Sequence, residues 1–568
     1  MDIFLENKKT TISNLEKSIK IKNFKIMSDK ITFEVNCTVV TGFGERFDRL
    51  NQLGLMRKIH VYETFTNQNS DTYLPVPFFL TDAEFGLYID IMEICTIETM
   101  IIENSVEFSI IIPSECDIYF FRGTPLNIIE NFTVITGRAK LPPKWAFGLW
   151  ISANRWNSQA IFEEQIEFSK KYDMKPSVAV LEAWSDEATF YLWNDEDKWP
   201  DPKSMIKKLH DDDIKLLLWQ APVLKSLSSK EKSEKHLKDI EYAILNDLII
   251  RKKDGSPYKI PEGRWFSDGY VPDFTNKETC TWWFQNREYL LSLGVDGFKT
   301  DGGEFIYDDD TVFADGSTGR EMKNGYITSY CKAYSEFTGE DRILFSRAGF
   351  TGSQRYSIHW AGDQMSTWKE FRSVLNAGLT AGLSGISFWG FDIAGFAGEF
   401  PGAELYLRAF AMACFCPVMQ WHSQVIGGQF ADILPSKDRL NDRSPWNVAK
   451  RHDNPEIIEI CKHFVKVRYA ILDYIYEEAK ISAKTGRPLM APLFLDWPDD
   501  KTTWDIADQY MFGRKLLVAP ILYEGETERK IYLPCGVWKD FWSESRVEGN
   551  RWMKVSCPFD KIAVYELI

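Results

Sequence analysis

Residues 294–304, Gly-Val-Asp-Gly-Phe-Lys-Thr-Asp-Gly-Gly-Glu, carry an aspartate, Asp301, where a short apolar run gives way to a double-glycine turn. The run reads as a buried strand following a helix that stops at Gly294, so the carboxylate arrives at a strand's carboxyl end. Two later segments repeat the arrangement, Ser346-Arg347 and His359-Trp-Ala-Gly-Asp363 each closing an apolar run with polar groups. In barrels and open α/β sheets the loops after the strands converge on one mouth, where reacting groups are held. Asp301 alone reads equally well as a cap for the next helix. Paired with Asp363, and with no histidine cluster to hold a metal, it reads as half of a two-carboxylate site. Such pairs cleave glycosidic bonds, one carboxylate attacking or stabilising an oxocarbenium-like centre while the other protonates the leaving oxygen.

Eight apolar runs supply the strands such a mouth needs, over 147–152, 177–184, 214–220, 295–300, 342–346, 358–360, 386–391 and 417–421. Helical patterns lie between most of them, for instance over 158–172 and 369–382. This alternation predicts an α/β fold, a (β/α)8 TIM barrel over 141–480, rather than a doubly wound sheet. Residues 1–140 read as short alternating strands between turns, with hardly any helical pattern, and predict an N-terminal β-sandwich. Leu141-Pro-Pro marks the boundary, since two prolines continue neither regular element. A polar insertion at about 226–279 follows the third strand and is expected to wall the site. Residues 481–568 turn strand-like again and predict a small C-terminal β-sandwich.

The 568 residues carry a formal charge of -15 without long Lys/Arg runs, which argues against nucleic acid or an anionic membrane surface as partner. Aromatic residues reach 14%, with 20 Trp, which serves a core and equally serves a sugar site, because pyranose faces stack on rings while hydroxyls meet carboxylates. The ten cysteines form no Cys-x-x-Cys pair and read as reduced, mostly buried thiols. The N-terminus lacks a secretory pattern, and no run of about 18 apolar residues suggests a membrane span, so a cytoplasmic protein is expected. Oligomeric state, a homo-oligomer included, is left open.

Phe298-Lys-Thr-Asp-Gly-Gly-Glu304, Arg347 with Trp360-Ala-Gly-Asp363, Phe388-Trp-Gly-Phe-Asp-Ile-Ala-Gly-Phe396 and Leu141-Pro-Pro-Lys-Trp145 together resemble glycoside hydrolase family 31, the α-glucosidase and α-xylosidase family. Gly42-Phe-Gly-Glu-Arg-Phe47 resembles that family's N-terminal sandwich, and Asp505-Ile-Ala-Asp-Gln-Tyr-Met-Phe-Gly513 its sandwich after the barrel. The resemblance therefore covers nearly the whole chain. It implies Asp301 as nucleophile and Asp363 as acid/base of a retaining double displacement, with no cofactor and no metal. By the same resemblance His422 meets sugar hydroxyls at the −1 subsite and Asp186 grips that sugar's far hydroxyls, although Asp186 also reads as a helix cap. Arg347 is placed to keep Asp301 ionised, and a Trp360-lined environment to keep Asp363 protonated. Trp219, Trp150 and Phe396 are candidate stacking walls, each also suited to the core. Asp392 is expected to shape the pocket, Glu304 to act from behind it, and Asp296 to be structural.

The substrate is less constrained. Lys299 stands two residues before Asp301, where α-glucosidases of the family carry Trp and α-xylosidases carry Lys, and it is counted among the substrate-binding residues. Glu187, where members often place an apolar residue or Cys, is placed to choose the sugar at −1 or the aglycone at +1. The expected activity is that of an exo-acting α-glucosidase on short α-glucosides, working through a covalent glycosyl-aspartate. An α-xylosidase comes next, then an α-galactosidase- or N-acetylgalactosaminidase-like enzyme or a transglycosylase. A non-catalytic carbohydrate-binding barrel is the reading from a different class, and retention of both carboxylates argues against it.

Overall fold

The computed structural model describes residues 21–27, 29–154, 156–228, 231, 233–424 and 441–568, and the backbone of the strands Asp2–Leu5 and Lys8–Ser13. Its centre is an eight-stranded parallel barrel: β1 (Leu149–Ser152), β2 (Val178–Leu181), β3 (Lys215–Gln220), β4 (Gly297–Thr300), β5 (Ile343–Ser346), β6 (Ile358–Trp360), β7 (Trp389–Gly390) and β8 (Met419–Trp421). All eight predicted strands are present, mostly shorter than their apolar runs. Covered by side chains on both faces, they need no polar alternation, which is why they read as continuous apolar runs. The barrel closes where β1 pairs with β8, Leu149 opposite Met419, and a bridge between Asp392 and Gln420 draws the ends of β7 and β8 together.

The surrounding helices start where the sequence signals them. Ser158 caps Gln159–Lys171, Thr318 and Glu321 form a capping box for Gly319–Thr338, and Thr367 caps Trp368–Leu383. The helix expected to lead into β4 is broken into Lys277–Gln285 and Glu288–Leu293. At the break Arg287 turns inward, its Nε donating to Gln220 at 2.6 Å and its Nη1 to the Trp283 carbonyl at 2.9 Å. The insertion folds as a helix, Glu234–Leu245, and a strand, Arg251–Lys252, paired with Thr311–Val312.

N-terminal to the barrel, a six-stranded and a five-stranded sheet enclose a phenylalanine cluster in which Phe108 stacks on Phe33 at 5.1 Å and on Phe79 at 5.0 Å. One expectation fails here: Pro125–Thr136 is a helix. Its β-branched content disguises it, whereas the capping Thr124 followed by Pro125 is a helix-start signal. After the barrel, a six-stranded sheet and a two-stranded ladder form the C-terminal unit. All ten cysteines are free, and only Cys535 is exposed. Among the described residues no helix is long and apolar enough to cross a membrane.

One buried cation ties the barrel seam. Arg468, from the helix Glu456–Ala470, donates to the carbonyls of Phe147 (2.7 Å), Cys414 (2.9 Å), Cys416 (2.6 Å) and Pro417 (2.7 Å), which lead into β1 and β8. Arg468→Met leaves four buried carbonyls unpaired and is expected to destabilise the protein by about 3 kcal/mol or more, measured by urea denaturation. A loss within about 1 kcal/mol would mean that the seam closes without it.

Candidate active site

Asp301 follows β4 directly, its backbone N–H bonded to the Gln220 carbonyl at the end of β3 (2.8 Å). Gly302 and Gly303 carry φ of +71° and +105°, and a Cβ on Gly302 would lie 2.7 Å from the Phe305 ring. Only glycine lets the chain leave the strand so abruptly. The Asp301 carboxylate accepts from the Trp219 indole N–H at Oδ2 (2.9 Å) and from the Gly302 N–H at Oδ1 (2.8 Å).

The buried guanidinium of Arg347, at the end of β5, joins three carboxylates. Its Nε lies 3.3 Å from Asp301 Oδ1, its Nε and Nη2 each donate to Glu304 at 3.1 Å, and its Nη1 donates to Asp363 Oδ2 at 3.3 Å. The rings of Tyr73 and Trp265 lie 4.8 and 4.9 Å from its centre. Because both contact one guanidinium, the nearer oxygens of Asp301 and Asp363 are within roughly 9 Å of each other, in reach of one glycosidic bond. Their side chains retain 12% and 14% exposure, enough to face the mouth.

These surroundings separate the acids electrostatically. Burial, reinforced by the charges of Asp301 and Asp392 and opposed by Arg347 and Lys299, pushes the Asp363 carboxyl up to about 8. The surroundings therefore favour the protonated form of Asp363. Burial also raises Glu304, with Arg347 opposing. Burial works against the charge of Arg347, yet Asp301 and Glu304 outweigh it and hold the group well above its ordinary value.

A second cluster forms the floor. Glu182, the first residue beyond β2, hydrogen-bonds the Lys299 ammonium and lies 3.0 Å from His422 Nε2. The Lys299 Nζ sits 4.5 Å above the Trp360 ring, and Phe396 stacks on His422 at 5.0 Å. Burial resists the Glu182 charge, but His422 and Lys299 overcome it and bring the carboxyl down to about 2. Asp392 Oδ1 accepts from Gln420 at 2.6 Å.

Of the residues singled out in the sequence, the structure thus brings together Asp301, Asp363, Arg347, Trp219, Lys299, Trp360, Phe396 and His422. Asp186 is tied into its own loop instead, its Oδ1 accepting from the N–H groups of Ala188 (3.3 Å) and Thr189 (2.9 Å) and from the Thr189 hydroxyl (2.8 Å). The carboxylate on the floor is Glu182, which the sequence reading passed over because it carried the second strand to residue 184. Trp150 packs in the barrel core against Phe345 at 4.8 Å, its indole N–H bonded to the Ala146 carbonyl. Asp296 accepts from the Leu216 N–H and pairs with His210 and Lys215, away from the mouth. Tyr73, from the N-terminal sandwich, and Trp265, from the insertion, had no sequence signal beyond residue type.

Residues 139–478 match the glycosyl hydrolases family 31 TIM-barrel domain, and 486–566 the glycosyl hydrolase family 31 C-terminal domain. The chain belongs to glycosyl hydrolase family 31. Among family relatives, the isomaltosyltransferase of Sporosarcina globispora is 37% identical over 92% of this chain and 50% of its own length. The 1,3-alpha-isomaltosidase of Kribbella flavida is 36% identical over 93% of this chain and 75% of its own. The chain thus spans half to three quarters of these relatives. The cycloalternan-degrading enzyme of Trueperella pyogenes, solved in complex with a covalent intermediate, superposes with a TM-score of 0.90 at 34% identity, covering 98% of this chain and 81% of that one.

A general acid works while protonated, so catalysis that draws its proton from Asp363 should decline as pH rises through about 8, the value to which its carboxyl is pushed. Asp392→Asn removes a negative charge that raises Asp363, so the alkaline limb of kcat/KM should move to lower pH. A limb that stays in place would remove Asp392 from the electrostatics of the acid.

Proposed function

We propose that this protein is a retaining, exo-acting α-glycosidase that cleaves α-glucosidic bonds of short oligosaccharides, with Asp301 as nucleophile and Asp363 as acid/base. Asp301 attacks the anomeric carbon as Asp363 gives its proton to the departing oxygen, leaving a glycosyl ester on Asp301. Asp363, now ionised, then takes a proton from an incoming water that displaces Asp301 and regenerates both groups. The observation that carries this reading is the pair of carboxylates on one guanidinium, with the Asp363 carboxyl pushed up to about 8 beside an Asp301 that accepts from the Trp219 and Gly302 N–H groups. The covalent intermediate in the Trueperella structure supports double displacement.

Both named relatives act, by their names, on isomaltosyl groups, pairs of α-linked glucoses, and this supports glucose rather than xylose at −1. Transfer to a sugar hydroxyl is the second reading, favoured by the 37% identity to an isomaltosyltransferase. It uses the same ester, with a sugar in place of water.

The test is a panel of aryl α-glucoside, α-xyloside, α-galactoside and N-acetyl-α-galactosaminide, with the first-formed anomer followed by NMR. The glucoside should be preferred and the first product should be the α-anomer; a β-anomer would sink the retaining mechanism. Asp363→Ala should lose about 10²–10⁴-fold in kcat on substrates with poor leaving groups and less on aryl glycosides, which need little protonation. Asp301→Ala should be inactive on all of them. If wild type cleaves no α-glycoside yet binds sugars, the non-catalytic reading replaces this one.

A further inference from the structure

The Asp363 carboxylate has one 3.3 Å contact with Arg347, too long to fix where a proton is delivered. That task falls to the backbone of its loop, residues 361–367, which the N-terminal sandwich grips from outside the barrel. Glu370, in the first turn of the helix Trp368–Leu383, accepts at Oε2 from the Met365 N–H (2.7 Å) and at Oε1 from the Asn67 N–H (3.0 Å). From the same side Gln68 Nε2 donates to the Asp363 carbonyl at 2.7 Å. Resting on the α-glycosidase reading above, we propose that Glu370 and Gln68 are positioning residues for the proton donor, tying the loop that carries Asp363 to the 64–70 loop of the N-terminal sandwich so that the two are placed as one piece.

The tie needs a carboxylate. Two backbone N–H groups from distant parts of the chain converge on Glu370, and each finds its own oxygen. An amide of the same shape has one acceptor oxygen and would set its own N–H groups against the second donor. Glu370 is 3% exposed, and burial raises its carboxyl while the Met365 and Asn67 N–H groups oppose that rise. Thr367, whose hydroxyl accepts from the Glu370 N–H at 3.2 Å, fixes where the helix begins, so the carboxylate is presented from a rigid turn.

The sandwich loop is held in a shape that a connection alone does not require. Thr66, Asn67 and Asn69 all adopt left-handed backbone, at φ +58°, +47° and +50°. Asparagine tolerates that region, but a β-branched threonine enters it only where the surroundings impose it. The contacts that impose it also reach the acid. Gln68 Nε2, which meets the Asp363 carbonyl, donates to the Thr64 carbonyl at 3.2 Å as well, and the buried Tyr73 hydroxyl donates to that same carbonyl at 2.7 Å.

On its inner side the acid's loop is knitted to the chain after β7. The Phe396 and Ala397 N–H groups donate to the Gln364 carbonyl at 2.8 and 2.9 Å, and the Ser366 N–H donates to the Ala397 carbonyl at 3.1 Å. With Gln364 fixed from inside, the outer bonds at Asp363 and Met365 decide how the segment turns about it. Losing them lets the acid swing while Asp301, on β4, stays in place. A displacement of about 1 Å in a reacting group can cost about 10²-fold in rate.

The experiment measures kcat/KM on a series of aryl α-glucosides whose leaving group runs from dinitrophenol, the most acidic, to phenol, the least, for wild type, Glu370→Gln and Gln68→Met, with thermal melts to show that the variants fold. A poor leaving group needs its proton, so each variant should lose about tenfold or more on the phenyl glucoside and stay within about twofold of wild type on the dinitrophenyl one. In an Asp363→Ala background Glu370→Gln should cost less than about twofold further, because it acts only through that acid. An equal fall along the whole series, an unchanged series, or a full additional loss in the Asp363→Ala background overturns the proposal. If Glu370→Gln does not fold, Gln68→Met decides by the same criteria. A wild type that cleaves none of the series sinks the glycosidase reading and the positioning role with it, whereas an active wild type whose variants keep its leaving-group dependence sinks the positioning role alone.

Discussion

One guanidinium cannot neutralise three carboxylates, and the barrel mouth is organised around that imbalance. Arg347 is buried with Asp301, Glu304 and Asp363 around it, where charge interactions are stronger than in water and an uncompensated charge is costly. The excess is relieved by protonation. Asp301 has two further N–H donors, from Trp219 and Gly302, and Glu304 takes two bonds from Arg347. Asp363 has a single 3.3 Å contact with the guanidinium and faces the charges of Asp301 and Asp392. Burial, with the charges of Asp301 and Asp392, therefore favours the proton on Asp363. Burial and neighbouring charge thus push one of the two aspartates at this mouth toward its protonated form.

The barrel does not hold this arrangement alone. The N-terminal sandwich reaches into the mouth, Gln68 donating to the Asp363 carbonyl at 2.7 Å while the Tyr73 ring covers one face of Arg347. Gly362, at φ +73°, brings the chain so close that a Cβ there would lie 2.3 Å from Tyr73. A buried bond from the Trp389 indole N–H to Glu45, 2.7 Å, fastens the same sandwich to β7. The loop carrying Asp363 is thus clamped from outside the barrel. The insertion supplies the other cover, Trp265, so two segments distant in sequence fix the plane of one arginine.

The barrel strands and the residues that follow them were legible because buried parallel strands leave an unambiguous trace, apolar runs ending in polar groups. What the sequence concealed was strand length. In Leu181-Glu-Ala-Trp-Ser-Asp-Glu187 three acids compete for the position facing the mouth, and apolar Ala183 and Trp184 invite the strand to run on. The strand stops at Leu181, and Trp184 turns its indole N–H to the Trp219 carbonyl (3.1 Å), which puts Glu182 on the floor and sends Asp186 into the loop. The helix Pro125–Thr136 was hidden for a different reason, tertiary packing overriding the β preference of its isoleucines and threonines. Tyr73 and Trp265 were beyond reach, since their role depends on contacts between segments with no local pattern.

The floor shows why Lys299 cannot be read as a free choice of substrate. Barrel interiors are filled in layers whose members come from alternate strands. Glu182 and His422 follow β2 and β8, Trp360 ends β6 and Lys299 is the last but one residue of β4, and their mutual contacts place them in one such layer around the axis. Each needs the others. The buried ammonium of Lys299 lies between the Glu182 carboxylate and the Trp360 face, and that same carboxylate faces His422. Tryptophan at residue 299 would leave Glu182 without its ammonium partner and would place a large ring where Trp360 now meets an ammonium. A single exchange at this position therefore unbalances a buried ion pair before it touches any sugar. Lys299 is therefore held by the four-residue layer, as a buried ion-pair partner of Glu182.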